Sequence, residues 1–197
     1  LFTPGHLAAY CEQEAQPWEA LSYTKLRFLA GSRELGAQTL SSAGVLFRRF
    51  AAEGGFLDAV REMRLRLEPQ GREKNLKASP GAIYDIDFIS GYLLVKHAIV
   101  DKSGTLRDRL WRCAAAGVLD RADAAALDHA AELYRTVEHI VRLVLGRANK
   151  WLPATGHALQ VTENLVEEIV GRQFSDGLEA ELLRSFEAVR EVFRRTC

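Results

Sequence analysis

Two carboxylates and a lysine stand around a Pro-Gly turn in the stretch Lys77-Ala78-Ser79-Pro80-Gly81-Ala82-Ile83-Tyr84-Asp85-Ile86-Asp87-Phe88. These are the residue types that a metal-dependent or phosphate-handling site needs. Proline fixes φ and glycine permits φ > 0, so the chain can reverse sharply before an apolar helix begins. Ser79 is placed to cap that helix, and Pro80 suits its first turn, where a missing N–H costs nothing. Asp85 and Asp87 then fall within about the first two turns, near the positive end of the helix dipole. The plain alternative is that both carboxylates simply meet that dipole.

Two further clusters could serve the same chemistry. Residues 61–77 carry Arg61, Arg64, Arg66, Arg72, Lys74 and Lys77 against Glu62, Glu68 and Glu73. Such local positive charge suits a phosphate-bearing ligand or an acidic protein surface. A solvated helix face explains Arg61 and Arg66 better, whereas Lys77 lies on the segment feeding the Asp85 turn. Upstream, Trp18-Glu19 precedes Lys25 and Arg27, and Glu19, Tyr23 and Arg27 step by four as a helical ion-pair ladder would. Trp18 reads as a core residue. The five histidines show no zinc-site spacing, and no nucleophilic serine motif or phosphate-cradling glycine loop is present.

The elements that must position these groups are helical. Apolar residues recur at helical spacing nearly everywhere, as in Phe56, Val60, Met63, Leu67, then Ala126, Ala130, Leu133, Val137, Ile140, Val144, and again Leu178, Leu182, Phe186, Val189, Phe193. Turn signals at Gly31-Ser32, Gly54-Gly55, Glu68-Pro69-Gln70-Gly71, Lys102-Ser103-Gly104, Leu152-Pro153 and Ser175-Asp176-Gly177 separate them. The spacing predicts an all-α helical bundle with helices near 5–15, 17–30, 34–53, 56–67, 81–101, 105–116, 121–150, 159–173 and 177–195. There is room for one short strand or hairpin near 73–78.

Composition bounds the function classes. The 197 residues are 48% hydrophobic and 26% charged, with 26 basic and 26 acidic side chains. That balance argues against nucleic acid and anionic lipid as partners. Three widely spaced cysteines and no Cys-x-x-Cys favour a reduced, cytoplasmic setting. No apolar run reaches the ~18 residues of a membrane span. The chain opens on Leu1-Phe2 without a signal-like segment, and is expected to be a piece of a longer polypeptide.

With these residues in view, the chain resembles the glutamine synthetase adenylyltransferase family over about residues 10–100. Lys77 through Phe88, followed by Tyr92-Leu93-Leu94-Val95-Lys96-His97-Ala98, is similar to the family's lysine segment, Gly-Gly-Ile/Leu turn, Asp-Ile-Glu-Phe and Gln-Tyr-Leu-x-Leu-Arg-His-Ala helix. Trp18-Glu19 with Lys25, Arg27, Ala30 and Gly31 is similar to its Trp-Glu-x-x-Ala-Leu-x-Arg-x-Arg-x-x-Ala-Gly. Met63-Arg64-Leu65-Arg66 lies where the family has Met-Arg-Arg-Arg. This sequence departs at Ala82 for the second glycine, Asp87 for the glutamate and Gly91 for the glutamine.

The resemblance implies a magnesium- and ATP-dependent nucleotidyltransferase. It would transfer AMP to a tyrosine of glutamine synthetase, or remove it, with a nitrogen-signalling regulator as a further partner. The family's primary metal-binding carboxylate pair lies before the Trp-Glu helix, hence outside this chain, and Asp85-Ile-Asp87 is not that pair. The chain alone is then expected to be inactive, with no tightly bound cofactor. The implied division is 1–103, the trailing part of a nucleotidyltransferase domain, and 104–197, a helical bundle. Asp87, with Asp85 as neighbour or alternate, would be the catalytic third carboxylate facing the metal. Lys77, Lys25, Arg27 and Arg64 would face phosphate, while Trp18, Glu19 and Gly81 would carry the structural motif. The competing reading is a non-catalytic module in which the helices of 104–197 dock on glutamine synthetase or a nitrogen-signalling regulator.

Overall fold

The computed structural model describes residues 3–69, 74–100 and 104–197. Among them the chain forms α-helices only: α1 (Pro4–Gln13), α2 (Pro17–Tyr23), α3 (Arg33–Ala52), α4 (Phe56–Arg66), α5 (Ile83–Lys96), α6 (Leu106–Ala115), α7 (Arg121–Leu145), α8 (Gly156–Val170) and α9 (Leu178–Thr196). The expected all-α class is thus what the chain adopts. Residues 74–78, where a strand was expected, are extended and turn backbone without a ladder. Arg72 and Glu73 of the basic stretch, the Gln70-Gly71 and Lys102-Ser103 stops, and the expected helix end at 101 lie outside the described residues.

Helix starts follow local side-chain chemistry. Thr3, Ser32 and Thr105 accept the amides of His6, Leu35 and Asp108 with their hydroxyls, and Asp120 accepts Ala122 N–H at 2.7 Å before α7. Each satisfies an orphan donor at a helix N-terminus. Helix ends account for most departures from the expected spans. α7 stops at Leu145 because Gly146 takes φ +65°, the left-handed cap that glycine adopts without strain. α5 stops at Lys96 through a similar cap at Ala98, φ +51°, where Ile99 N–H reaches back to Leu94 C=O at 2.8 Å. α2 stops at Tyr23, not near residue 30, because Thr24 turns its hydroxyl onto Leu21 C=O at 2.6 Å. A short polar side chain there offers the backbone an alternative to the next helical bond. Arg27 therefore lies beyond the helix, and the Glu19–Tyr23–Arg27 ladder does not form.

The chain divides into two compact units. One holds residues 1–66, 87–124 and 197; in it α1 and α2 pack on α3, and α2 on α4. Its core is aromatic and aliphatic, with Phe50 against Phe56 and Phe56 stacked on Tyr92, ring centroids 5.4 and 6.0 Å apart. The other holds 67–86 and 125–196. Its core gathers the α9 stripe of Leu178, Leu182, Phe186, Val189 and Phe193, every member buried as expected. Tyr134 of α7 meets Phe186 edge-on at 5.0 Å. The partition interleaves along the chain and places 104–124 with the front of the sequence.

Two core expectations are corrected. Trp18 is 57% exposed and does not pack in the core. Leu67 is also exposed, and the buried position on the last turns of α4 is Arg64, fully enclosed. The interval from Phe56 and Val60 to Arg64 is four residues each time, so the guanidinium sits on the stripe and Leu67 falls off it.

Candidate functional site

α5 carries both aspartates of the motif, two positions apart. Residues at that spacing do not share a helix face, so each aspartate has its own surroundings.

Asp87 belongs to the first compact unit. Its Oδ2 accepts from Lys25 Nζ at 2.5 Å and its Oδ1 from Arg109 Nη2 at 2.5 Å. Arg109, on α6, is buried and also reaches the Thr24 hydroxyl at 3.3 Å. Lys25 follows α2 directly and leaves half its side chain in solvent. The Thr24 turn that ends α2 is thus what delivers the ammonium to Asp87. Burial alone would raise the Asp87 pKa, but the charges and hydrogen bonds of Arg109 and Lys25 outweigh it and hold the carboxyl below its ordinary value. A cation at both oxygens keeps the group ionised.

Gly91, one turn on along α5, allows the helix to come close to α2. A Cβ there would sit 3.2 Å from Leu21 Cδ2 and 3.7 Å from Thr24 Oγ1. A glutamine at this position would force Leu21 aside, so this departure from the family's motif is matched to the close approach of α2. Glu19 stays on α2 as a brace: it accepts Gln16 N–H at 2.8 Å and the Tyr10 hydroxyl at 2.8 and 2.9 Å. Arg27 is exposed beside Gly104, whose added Cβ would lie 3.3 Å from Arg27 Cβ.

Asp85 belongs to the second unit and is completely buried. Its Oδ2 accepts Gly81 N–H at 2.8 Å and Arg190 Nη1 at 3.0 Å, while Arg190 Nη2 holds Glu68 at 2.9 Å. The turn lies so close to α9 that a Cβ on Gly81 would stand 1.9 Å from the Phe186 carbonyl oxygen. At φ +81° only glycine fits without strain. Tyr134 donates its hydroxyl to Gly81 C=O at 3.2 Å; burial, more than any other influence, raises its pKa well above the ordinary phenol value.

Ser79 does not cap α5 as expected. Its hydroxyl accepts Asn75 N–H at 2.8 Å, and the first amides of α5 are taken by backbone carbonyls: Ile83 N–H by Leu76, Tyr84 N–H by Lys77 and Asp85 N–H by Ala82. The mouth of the helix is closed by the chain's own carbonyls. Lys77 pairs with Glu138 at 2.8 Å.

Of the residues singled out from sequence, the structure joins Lys25 to Asp87 and Gly81 to Asp85. It gives Lys77 another partner and encloses Arg64. Arg109 and Arg190 were missed by sequence reasoning. The available signal was a charged residue inside an apolar stripe: Leu106, Arg109, Leu110 and Cys113 form the buried face of α6, and Arg190 lies one turn after Phe186 on α9.

This arrangement defines an all-α module whose invading side chains are paired charges. Residues 56–197 match the model of the family described as GlnD PII-uridylyltransferase, and the chain belongs to that family. Among curated relatives, the bifunctional glutamine synthetase adenylyltransferase/adenylyl-removing enzyme of Streptomyces avermitilis is 34% identical over 75% of this chain and 15% of its own length. The enzymes of the same name from a Bradyrhizobium species and Mycobacterium leprae are 32% and 30% identical, over 94% and 90% of this chain and 19% and 18% of their lengths. The resemblance read from the motifs is thereby shown, and it extends over most of the chain. The chain spans less than a fifth of the length of these relatives.

Proposed function

We propose that this chain works as part of an enzyme that transfers AMP from ATP to a tyrosine of glutamine synthetase, or removes it. The likeness to the bifunctional enzymes supports that reading. The observation that carries it to a site is the Lys25–Asp87–Arg109 cluster, which ties the Trp-Glu motif to the Asp-Ile-Asp motif. Asp87 fixes Lys25 at a partly solvated edge, where its ammonium can meet phosphate charge, with the exposed Arg27 assigned to the same chemistry; Arg64, assigned to phosphate from the sequence, is fully enclosed and does not reach a ligand. Fixed cations stabilise transferring phosphoryl groups because no reorganisation is needed when charge develops.

Magnesium and ATP belong, in this proposal, to the intact enzyme. The residues present do not by themselves fit a metal. Both Asp87 oxygens hold cations, and among the described residues no three His, Cys, Asp or Glu side chains gather as ligands. The metal-facing role for Asp87 would require Lys25 or Arg109 to give way. Anchoring Lys25 is the role its geometry supports better, and Asp85 anchors the turn in its own unit. A cytoplasmic setting and a nitrogen-signalling partner remain parts of the proposal; among the described residues no helix is long and apolar enough to cross a membrane.

The test uses the intact polypeptide carrying this chain, with ATP, magnesium and glutamine synthetase. Incorporation of AMP on a tyrosine of the target is expected, falling at least about tenfold in Lys25→Met and Asp87→Asn, the loss that one misplaced charge contact produces. Neither transfer to glutamine synthetase nor release of AMP from its adenylylated form by the unaltered protein would overturn the function; unaltered rates in both variants would overturn the site. A docking module is favoured by one observation, the exposed apolar side chains Trp18, Phe28, Leu29 and Leu35. Retained binding of glutamine synthetase with neither transfer nor removal of AMP would select it.

A further inference from the structure

Arg109 has no access to a dissolved ligand. It lies in the first compact unit, on the buried face of α6 with Leu106, Leu110 and Cys113, and its side chain is 3% exposed. Whatever it does for chemistry it does through its neighbours. Nη2 donates to Asp87 Oδ1 at 2.5 Å and Nη1 to the Thr24 hydroxyl at 3.3 Å. Nε finds no acceptor among the described residues, so the polar anchoring of the guanidinium rests on its two terminal nitrogens.

Both contacts lead to Lys25. Asp87 turns its other oxygen, Oδ2, to Lys25 Nζ at 2.5 Å, so one carboxylate joins the buried guanidinium to the half-exposed ammonium. The Thr24 hydroxyl, having accepted from Arg109, keeps its proton for Leu21 C=O at 2.6 Å, the bond that ends α2 just before Lys25. The start of α6 also abuts this segment: a Cβ on Gly104 would stand 2.8 Å from the Lys25 carbonyl oxygen. The Lys25 neighbourhood is thus gripped at its side chain, at the preceding residue and at its own carbonyl. A lysine stem is otherwise flexible, and its ammonium would sample many directions.

We propose that Arg109 is the positioning residue for Lys25: through Asp87 and Thr24 it sets the direction of the ammonium without touching the nucleotide. Its effect on turnover rests on the reading that Lys25 meets phosphate in AMP transfer or removal. The role needs a guanidinium. Its two acceptors are met by separate nitrogens of a rigid fork, whereas a lysine at 109 would keep the charge but has one nitrogen and cannot hold both. A cation stabilises developing phosphate charge only if it is held in place beforehand. Misdirection of Lys25 therefore lowers kcat and leaves KM unchanged.

In the intact polypeptide, Arg109→Lys is expected to lower kcat about tenfold with KM for ATP unchanged. In a Lys25→Met background the same change should cost nothing further, because a residue acting only through Lys25 has nothing left to position. A normal rate in Arg109→Lys, or a loss that adds to that of Lys25→Met, would overturn the proposal. Thr24→Val keeps the side-chain shape and the Arg109 charge but removes the hydroxyl. It should lower kcat severalfold, and it carries the comparison if Arg109→Lys does not fold. A second readout needs no turnover: proton–nitrogen NMR of the lysine ammonium groups in the 197-residue chain, with Lys25 identified by its absence in Lys25→Met. An ordered Lys25 signal is expected, reduced to that of a free surface lysine in Arg109→Lys and Thr24→Val. Should the intact polypeptide neither transfer nor remove AMP, the proposed function fails while this signal still decides the role of Arg109. A Lys25 signal unchanged in both variants would overturn that role whatever the rates.

Discussion

Asp87 illustrates how a catalytic-looking carboxylate can be defined by its neighbours. One negative charge meets two cations, the guanidinium of Arg109 in the interior and the ammonium of Lys25 at the edge. The folded-state pKa is lowered, so the pair's stabilisation is fully present above the unfolded carboxyl value of about 4. It is lost as pH falls through the lower folded value. Asp87→Asn should therefore be destabilised at neutral pH by about 3 kcal/mol, the usual cost of stranding a buried partner charge. The difference from the unaltered chain should shrink below pH ~4. Denaturant melts of both proteins between pH 3 and 7 check this; a gap that stays constant across that window would show that the Asp87 charge does not stabilise the fold.

At the scale of elements, the turn 79–82 is fixed by its approach to α9. Gly81→Ala must place a methyl against the Phe186 carbonyl, 1.9 Å away, at φ +81°. Gly117, at φ +73°, has open space around the same added atom. Gly117→Ala should cost about 1 kcal/mol, the left-handed penalty alone. Gly81→Ala should cost clearly more, because backbone has to move. Thermal unfolding of the two variants gives the comparison, and equal shifts would mean that the turn is not held against α9.

The same elements show what the sequence carried. Among the described residues the nine helices were legible where apolar periodicity is strong, as in α6, α7 and α9, and from turn signals where it is not, as in the largely apolar α5; Gly81 was legible because a Pro-Gly pair demands a turn. The ends at Tyr23 and Lys96 were not, since Thr24 and Ala98 are ordinary residues whose capping role depends on hydrogen bonds formed only in the folded chain. Gly146 carried a signal for the end of α7 that the expected span to 150 passed over. Asp87 was found, but its partner Arg109 lies 22 residues away on α6, and periodicity cannot pair charges across helices. Asp85 was read, from the motif, as the neighbour or alternate of Asp87; its burial against Arg190, 105 residues on, is tertiary information.

At the scale of the whole molecule, the compact units do not follow sequence order. The second unit needs residues 67–86 as well as 125–196, and the early segment supplies Leu76, Gly81, Ala82, Asp85 and Ile86 to its interior. A fragment of residues 104–197 would leave Arg190 without Asp85 and Glu68, and would open the surface of Phe186 and Tyr134 that the turn covers. Such a fragment should retain helical backbone yet unfold without a sharp transition, because loss of specific packing leaves helix without cooperativity. Residues 67–197 should unfold cooperatively. Far-UV circular dichroism on heating separates the two outcomes. A cooperative melt of 104–197 at the midpoint of 67–197 would show that the early segment is dispensable. If it is not, any docking assay on residues 104–197 alone reports a damaged unit, and partner binding has to be measured with residues 67–86 in place.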